Sequence, residues 1–500
     1  MRIPRRSFLS LLASAAAANS LPRHARALPF AATTPANDPL RPEFHLMPQH
    51  NWMNDPNGPI FWKGSYHLFY QLNPHAAVWG DMHWGHAIST DMIHWRHQPI
   101  ALAPTPGGPD SEGCFSGSAV VFNGTPTFIY TGVQNADPPN VTLHDASNKL
   151  RETQMLATAE DDNLLRWKKL PQPVIAAPPP GMNVTGFRDP CPWQESDAWY
   201  LAVGSGQRGK GGSALLYRSQ DLRHWEYLHP LAQGQPTGST AADPVDSGDM
   251  WECPDFFELN GRHCLLYSTE RKVYWTTGDY DRRTHRYTPT RTGILDFGAY
   301  YAPKSFLAPD DRRILWGWIP ETRPQSVYAA AGWAGCMSLP RVLGVNADGQ
   351  LTIAIASEAQ SLREAAVHAT VRNNTVRYAL PTLRQELELR ASAQTSAVSV
   401  RLRTQDSTIW ELKLDFAAKS IQCGDRSFAL AALAAGQPTL GLHLDASVIE
   451  SLIGGTQAIT SRVYKVQPGQ TLIEIEAQGE GACTVTRWPL KTISPDRLTT

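Results

Sequence analysis

The sequence predicts an all-β chain: a five-bladed β-propeller over residues 43–346, a linker over 347–365 and a β-sandwich over 366–500. Three observations lead there. A turn-plus-strand pattern returns five times in the first two thirds. A fainter turn motif returns three times between those repeats. After Ala347 the pattern gives way to many short segments of period-two alternation, the mark of half-buried strands.

The first 27 residues read as an address. Arg5-Arg6-Ser7-Phe8-Leu9 precedes the Ala-rich apolar run from Leu11 to Ala18, and Ala25-Arg26-Ala27 offers a small-residue cleavage site. Paired arginines before Phe-Leu are similar to a twin-arginine export signal, so a periplasmic or extracellular destination is expected. The apolar run is too short to span a bilayer, so no membrane association is expected once the signal is removed. Residues 28–42, with Pro29, Pro35, Pro39 and Pro42, form an extended leader.

The main repeat can be counted. Gly64, Gly124, Asp197, Gly261 and Asp310 each precede an apolar anchor by six residues: Tyr70, Tyr130, Val203, Tyr267 and Trp316. Each unit is a turn feeding a buried strand. The anchors are 60, 73, 64 and 49 residues apart, room for about four strands per unit, which is one propeller blade. The fainter motif is Ser89-Thr90-Asp91 before His94-Trp95, Ser219-Gln220-Asp221 before His224-Trp225, and Asp162 before Arg166-Trp167, a shared turn leading to outer strands. In the C-terminal part Val398, Val400 and Leu402 alternate with Ser399, Arg401 and Arg403, and Trp410, Leu412, Leu414 and Phe416 with Glu411, Lys413 and Asp415.

Counting back from the anchors allows positions in different blades to be compared. Fifteen residues before Tyr70 is Asp55, fourteen before Val203 is Asp189, and fifteen before Tyr267 is Glu252. The matching places in the other two blades are Phe115-Ser116 and Tyr301. Equivalent inner-strand positions converge on the channel of a propeller, so three carboxylates remote in sequence should meet. Converging carboxylates repel, and a site holding one carboxylate and one carboxylic acid is what glycoside hydrolysis requires.

Four ordered segments carry a family resemblance: Trp52-Met53-Asn54-Asp55-Pro56-Asn57-Gly58, Phe115-Ser116-Gly117-Ser118, Arg188-Asp189-Pro190 and Trp251-Glu252-Cys253-Pro254. In this order the chain resembles glycoside hydrolase family 32, the invertases, inulinases, levanases and fructan exohydrolases. The resemblance implies release of terminal fructose from β-fructofuranosides by a retaining double displacement. Asp55 is then the nucleophile, Glu252 the general acid and base, and Asp189, kept ionised by Arg188, the stabiliser of positive charge on the ring. It also implies that Asn54, Gln71, Trp79, Phe115, Ser116 and Arg188 line the fructose subsite. Leu444-Asp445 to Val448-Ile449-Glu450 resembles a recurrent segment of the family's sandwich, and its acids are expected to face solvent or local turns.

Other readings stay open at this stage: a fructosyltransferase on the same scaffold, an inverting arabinan- or xylan-cleaving propeller, and a sugar-binding propeller without catalysis. The choice among sucrose, inulin and levan is also open, because it lies in rim loops. A net charge of −1 gives no electrostatic reason for a nucleic-acid partner. Seven scattered cysteines form no disulfide framework and no CxxC pair, so buried thiols are expected. His83, His86, His94 and His97 invite a zinc hypothesis. Without an HExxH motif, however, packing is the reading, and neither a catalytic metal nor any cofactor is expected.

Overall fold

A computed structural model describes residues 35–144, 147–195, 198–431 and 439–498. The export-signal segment, the first part of the leader and Asp197 of the repeat lie outside the described residues. No described helix is long and apolar enough to cross a membrane.

Five antiparallel sheets follow one another along the chain, each with its first strand innermost. The inner strands are Asn51–Trp62, Gly113–Phe122, Phe187–Gln194, Glu252–Leu259 and Tyr301–Leu307, in blades I to V. Neighbouring inner strands touch in sequence order, and that of blade V touches that of blade I, which closes the ring. A two-residue strand, Trp333–Ala334, seals the seam by pairing parallel to Asn51 and Trp52. The repeat anchors Tyr70, Tyr130, Val203, Tyr267 and Trp316 all lie on second strands, packed between blades.

The fainter motif joins third to fourth strands. Asp91 accepts hydrogen bonds from the backbone N–H groups of Ile93 and His94, and Asp221 from those of Arg223 and His224. In blade II this role falls to Asp161 rather than Asp162, as it accepts from the N–H groups of Asn163, Leu165 and Arg166. Asp162 instead reaches Lys63 at 2.5 Å.

Blade V ends later than the sequence suggested. Its outer strand, Leu351–Ile355, pairs with Arg341–Val345 across a turn in which Asn346 Oδ1 accepts from the N–H groups of Asp348 and Gln350. What reads as the start of a linker is therefore a blade hairpin, followed by a 3-10 turn at Ser357–Leu362.

The C-terminal part is two six-stranded antiparallel sheets packed face to face. Val398, Val400, Leu402, Trp410, Leu412 and Leu414 point into the shared core, as their alternation demands. All seven cysteines are buried free thiols.

The acids expected to face solvent do not. Asp445 and Glu450 are fully buried where the sandwich meets the propeller. The Asp445 carboxylate accepts from the N–H groups of Glu43, Phe44 and His45 at 2.7–3.0 Å. His45 spans the two acids, its Nδ1 2.8 Å from Asp445 and its Nε2 3.0 Å from Glu450. Glu450 also accepts from Arg341 of blade V at 2.6 Å, and Arg341 bridges on to Asp296 of blade IV at 2.9 Å. A buried charge is costly unless it is paired and hydrogen-bonded, and this chain of opposite charges meets both conditions.

Candidate active site

Each inner strand breaks register with its neighbour at one shared place in all five blades, and that of blade I does so again between Asn57 and Ile60. The interruptions lie between Met53 and Pro56, Phe115 and Gly117, Arg188 and Cys191, Glu252 and Asp255, and Tyr301 and Lys304. A bulge bends the strand and re-aims a side chain. In four blades a proline sits inside or just past the bulge, at Pro56, Pro190, Pro254 and Pro303, where no ladder N–H is needed. The left-handed φ of Asp189 (64°), Cys253 (48°) and Ala302 (48°) marks three of these bends. All five lie near the beginning of their strands, so the side chains they redirect gather at one end of the channel.

There they line a cavity of about 760 Å³. All nine residues named from the sequence contribute to it: Asp55, Asp189, Glu252, Asn54, Gln71, Trp79, Phe115, Ser116 and Arg188. The walls continue to Trp410 and Arg426 of the sandwich.

Asp55 is held from both sides. Its Oδ1 accepts from Asn54 Nδ2 at 3.0 Å, and its Oδ2 from Ser116 Oγ at 2.6 Å. Asn54 is itself fixed by the indole N–H of Trp52 at 2.7 Å. Burial raises the Asp55 pKa above the ordinary carboxyl range and the charge of Glu252 adds to the rise, while the bonds from Ser116 and Asn54 oppose it.

Cys253 ties the two aspartates together. Its backbone N–H donates to Asp189 Oδ2 at 2.8 Å, and its thiol lies 3.4 Å from that oxygen and 3.5 Å from Asp55 Oδ2. Arg188 acts on Asp189 through its charge, which lowers the pKa, while its hydrogen bonds go elsewhere. The Arg188 guanidinium turns to Glu252, with Nη2 at 2.8 Å and Nε at 3.1 Å, and to the buried Glu152 at 2.8 Å. Burial therefore dominates at Asp189, and with the charges of Glu252 and Asp55 it lifts the pKa to about 7 against the lowering effect of Arg188.

Glu252 lines the same cavity with both oxygens engaged, Oε1 by Arg188 and Oε2 by Tyr301 Oη at 2.7 Å. Trp79 and Phe115 meet edge to face, ring centres 5.8 Å apart, and shape the wall. Gln71 Nε2 donates to the Cys114 carbonyl at 2.9 Å, which anchors it at the rim of blade II.

The amino-acid sequence of residues 45–354 matches the model for the glycosyl hydrolases family 32 N-terminal domain. The chain belongs to glycoside hydrolase family 32. It is 40% identical over 369 residues to a sucrose-6-phosphate hydrolase of Escherichia coli, an alignment covering 70% of this chain and 71% of that one. It is 39% identical over 337 residues to a raffinose invertase of Escherichia coli, covering 64% and 66%. Among solved structures it is similar to a family 32 β-fructofuranosidase of Bombyx mori, at 29% identity and TM-score 0.77 over 92% of this chain and 96% of that one. A fructan 1-exohydrolase of Cichorium intybus in complex with 1-kestose gives 26%, 0.76, 91% and 98%. As a family 32 member the protein is an enzyme, a glycosidase of the β-fructofuranosidase type.

Sequence reasoning missed Glu152, which is fully buried and braces both Arg188 and the Phe187 N–H, at 2.6 Å. It lies on a third strand, outside the repeat register. Tyr301 stands at an equivalent register position, yet its role as a partner of Glu252 was not assigned. The four histidines do not assemble. His86 stacks on Phe69 and lies 3.0 Å from His67, His94 pairs with Asp91, and His97 lies 3.3 Å from Tyr70 Oη.

Proposed function

We propose that this family 32 enzyme releases terminal fructose from sucrose, fructans or both by a retaining double displacement. The observation that carries the reading is the convergence of Asp55, Asp189 and Glu252 from three bulges onto one cavity. Asp55, oriented by Ser116 and Asn54, attacks the anomeric carbon of the fructosyl unit as Glu252 protonates the departing oxygen. Water then resolves the covalent intermediate, with Glu252 now taking its proton. Asp189 accepts hydrogen bonds from sugar hydroxyls. Those donors favour its anion, which stabilises positive charge developing on the ring.

In the free site burial and the neighbouring acidic charges hold both aspartates above the ordinary carboxyl range, because Arg188, whose pKa its anionic neighbours raise despite burial, is committed to Glu252 and Glu152. Sugar hydroxyls donating to Asp55 and Asp189 favour their anions as the substrate arrives. Following the first product of sucrose cleavage by NMR tests the mechanism. β-Fructofuranose should appear before mutarotation, and α-fructofuranose appearing first would refute it. Product analysis at high sucrose separates hydrolysis from transfer, since longer oligosaccharides would favour the fructosyltransferase reading. The paired arginines at Arg5-Arg6 support export, which loss of the mature protein from the periplasm or medium in an Arg5→Lys, Arg6→Lys variant would test.

A further inference from the structure

The loop between the second and third strands of blade I, residues 74–82, forms part of the cavity rim through Trp79 and Met82. Together with the first residue of the following strand it gathers a group that the reaction does not use. One donor atom from each of His75, Asp81 and His83 lies within 4.8 Å of the others. His75 Nε2 is 3.0 Å from Asp81 Oδ2, and the two imidazole rings stand edge to face with centres 5.8 Å apart.

Two features make this more than a surface ion pair. His83 Nδ1 lies 2.7 Å from the Asp81 backbone carbonyl. A carbonyl oxygen only accepts, so Nδ1, which also lies 4.0 Å from Asp81 Oδ1, carries the proton in this geometry and Nε2 is the nitrogen left with a lone pair. The backbone is also committed, because Asp81 adopts a left-handed φ of 49° after Gly80 at 140°. The loop is tied at both ends: Asn51 Nδ2 donates to the Pro74 carbonyl at 2.6 Å, Asn73 holds the His75 N–H and the Val78 carbonyl, and the Cys114 N–H donates to the Met82 carbonyl.

We propose that His75, Asp81 and His83 bind one divalent transition-metal ion of the zinc type at the cavity rim, outside the reaction itself. Two imidazoles and a carboxylate select zinc-like ions over magnesium or calcium, and water completes the shell. Zinc–ligand bonds of about 2.0–2.2 Å place tetrahedral donors roughly 3.3 Å apart. His75 and Asp81, with side chains 69% and 49% exposed, supply the freedom to close to that spacing, while the nearly buried His83 serves as the fixed member. With two ligands mobile, an affinity on the order of micromolar is expected. The ion would clasp the two ends of the loop that carries Trp79.

Titration of the full chain with zinc chloride by calorimetry tests this, alongside His75→Ala and Asp81→Asn variants checked for unchanged melting and unchanged sucrose turnover without zinc. The expected result is one site per chain, weakened at least tenfold in each variant, with zinc slowing hydrogen exchange across 74–82 in the wild type alone. Absence of saturable binding up to about 100 μM, an isotherm in either variant identical to that of the wild type, slowed exchange confined to another segment, or equal binding of magnesium would each overturn the proposal.

Discussion

Replacing Glu450 by Gln keeps the shape of the side chain but removes one charge from the joint between sandwich and propeller. The carboxylate accepts four hydrogen bonds: from the Leu339 N–H at 2.7 Å, His45 Nε2 at 3.0 Å, and Arg341 Nη2 and Nε at 2.6 and 3.1 Å. An amide can offer only one oxygen to these donors, and its NH₂ group would confront another donor. The pairing and Arg341 pull the Glu450 pKa down to about 2 although burial works the other way, so from an ordinary 4.5 the ionised form gains on the order of 3 kcal/mol. Removing one partner of a buried pair typically costs about 3–5 kcal/mol, so the two routes agree. The signs with pH are opposite for the two partners. The Glu450 contribution is complete above about 4.5 and is lost as pH falls through about 2. His45, which burial would lower but Asp445 and Glu450 raise to about 9, contributes fully below 6.5 and loses that contribution as pH rises through about 9. The joint should be firmest between pH 4.5 and 6.5 and loosen on the alkaline side. Calorimetric unfolding at pH 5.5 and pH 9 should show a loss of stability in Glu450→Gln that is larger at pH 5.5, because one of the two anions holding the His45 proton is gone. A loss below about 1 kcal/mol at pH 5.5, or an unchanged difference between the two pH values, would refute the reasoning.

The site yields further expectations. Glu252→Gln should lower kcat on sucrose by about 10²–10⁴ with little change in binding, and steady-state kinetics would check it. Ser116→Ala removes a 2.6 Å donor to Asp55 and should cost about 10- to 100-fold in kcat, the worth of a hydrogen bond to a charged group; an effect on KM alone would contradict a role in orienting the carboxylate. Asp189→Asn should abolish activity yet raise the melting temperature at pH 8. Because burial lifts the Asp189 pKa from 3.8 to about 7, stability is lost as pH rises between those values, and the amide escapes that loss. Equal melting temperatures for the two proteins at pH 8 would count against the buried, destabilised carboxylate.

What could be read from the residues depended on whether the information repeats. Asp55, Asp189 and Glu252 were legible because a fixed count from Tyr70, Val203 and Tyr267 put them in register, and the bulges occur at that register in every blade. Asp445 and Glu450 were misread for the converse reason. Alternation separates core from solvent only when one face of a strand is wet, yet every residue of Val448–Ile453 is buried, one face against the sandwich core and the other against the propeller. Nothing in a single strand says that a second domain covers its outer face. Arg188 and Asp189 show the same limit at close range, since sequence neighbours across a bulge point apart, and Arg188 finds its partners on blades II and IV.

The bulges also account for the placement of the chemistry. A regular inner strand offers the channel alternate side chains at even height, and five such strands would crowd the axis. By breaking register at a shared place in every blade, each strand turns one residue toward the channel mouth, and in four blades a proline or a left-handed residue holds the bend that follows. The five positions then need not be alike. Three carry acids, one carries Ser116 to orient Asp55, and one carries Tyr301 to hold Glu252. A single backbone device repeated five times thus produces an asymmetric constellation, and under the proposed mechanism the asymmetry of the partners separates the carboxylate that attacks from the one that carries the proton.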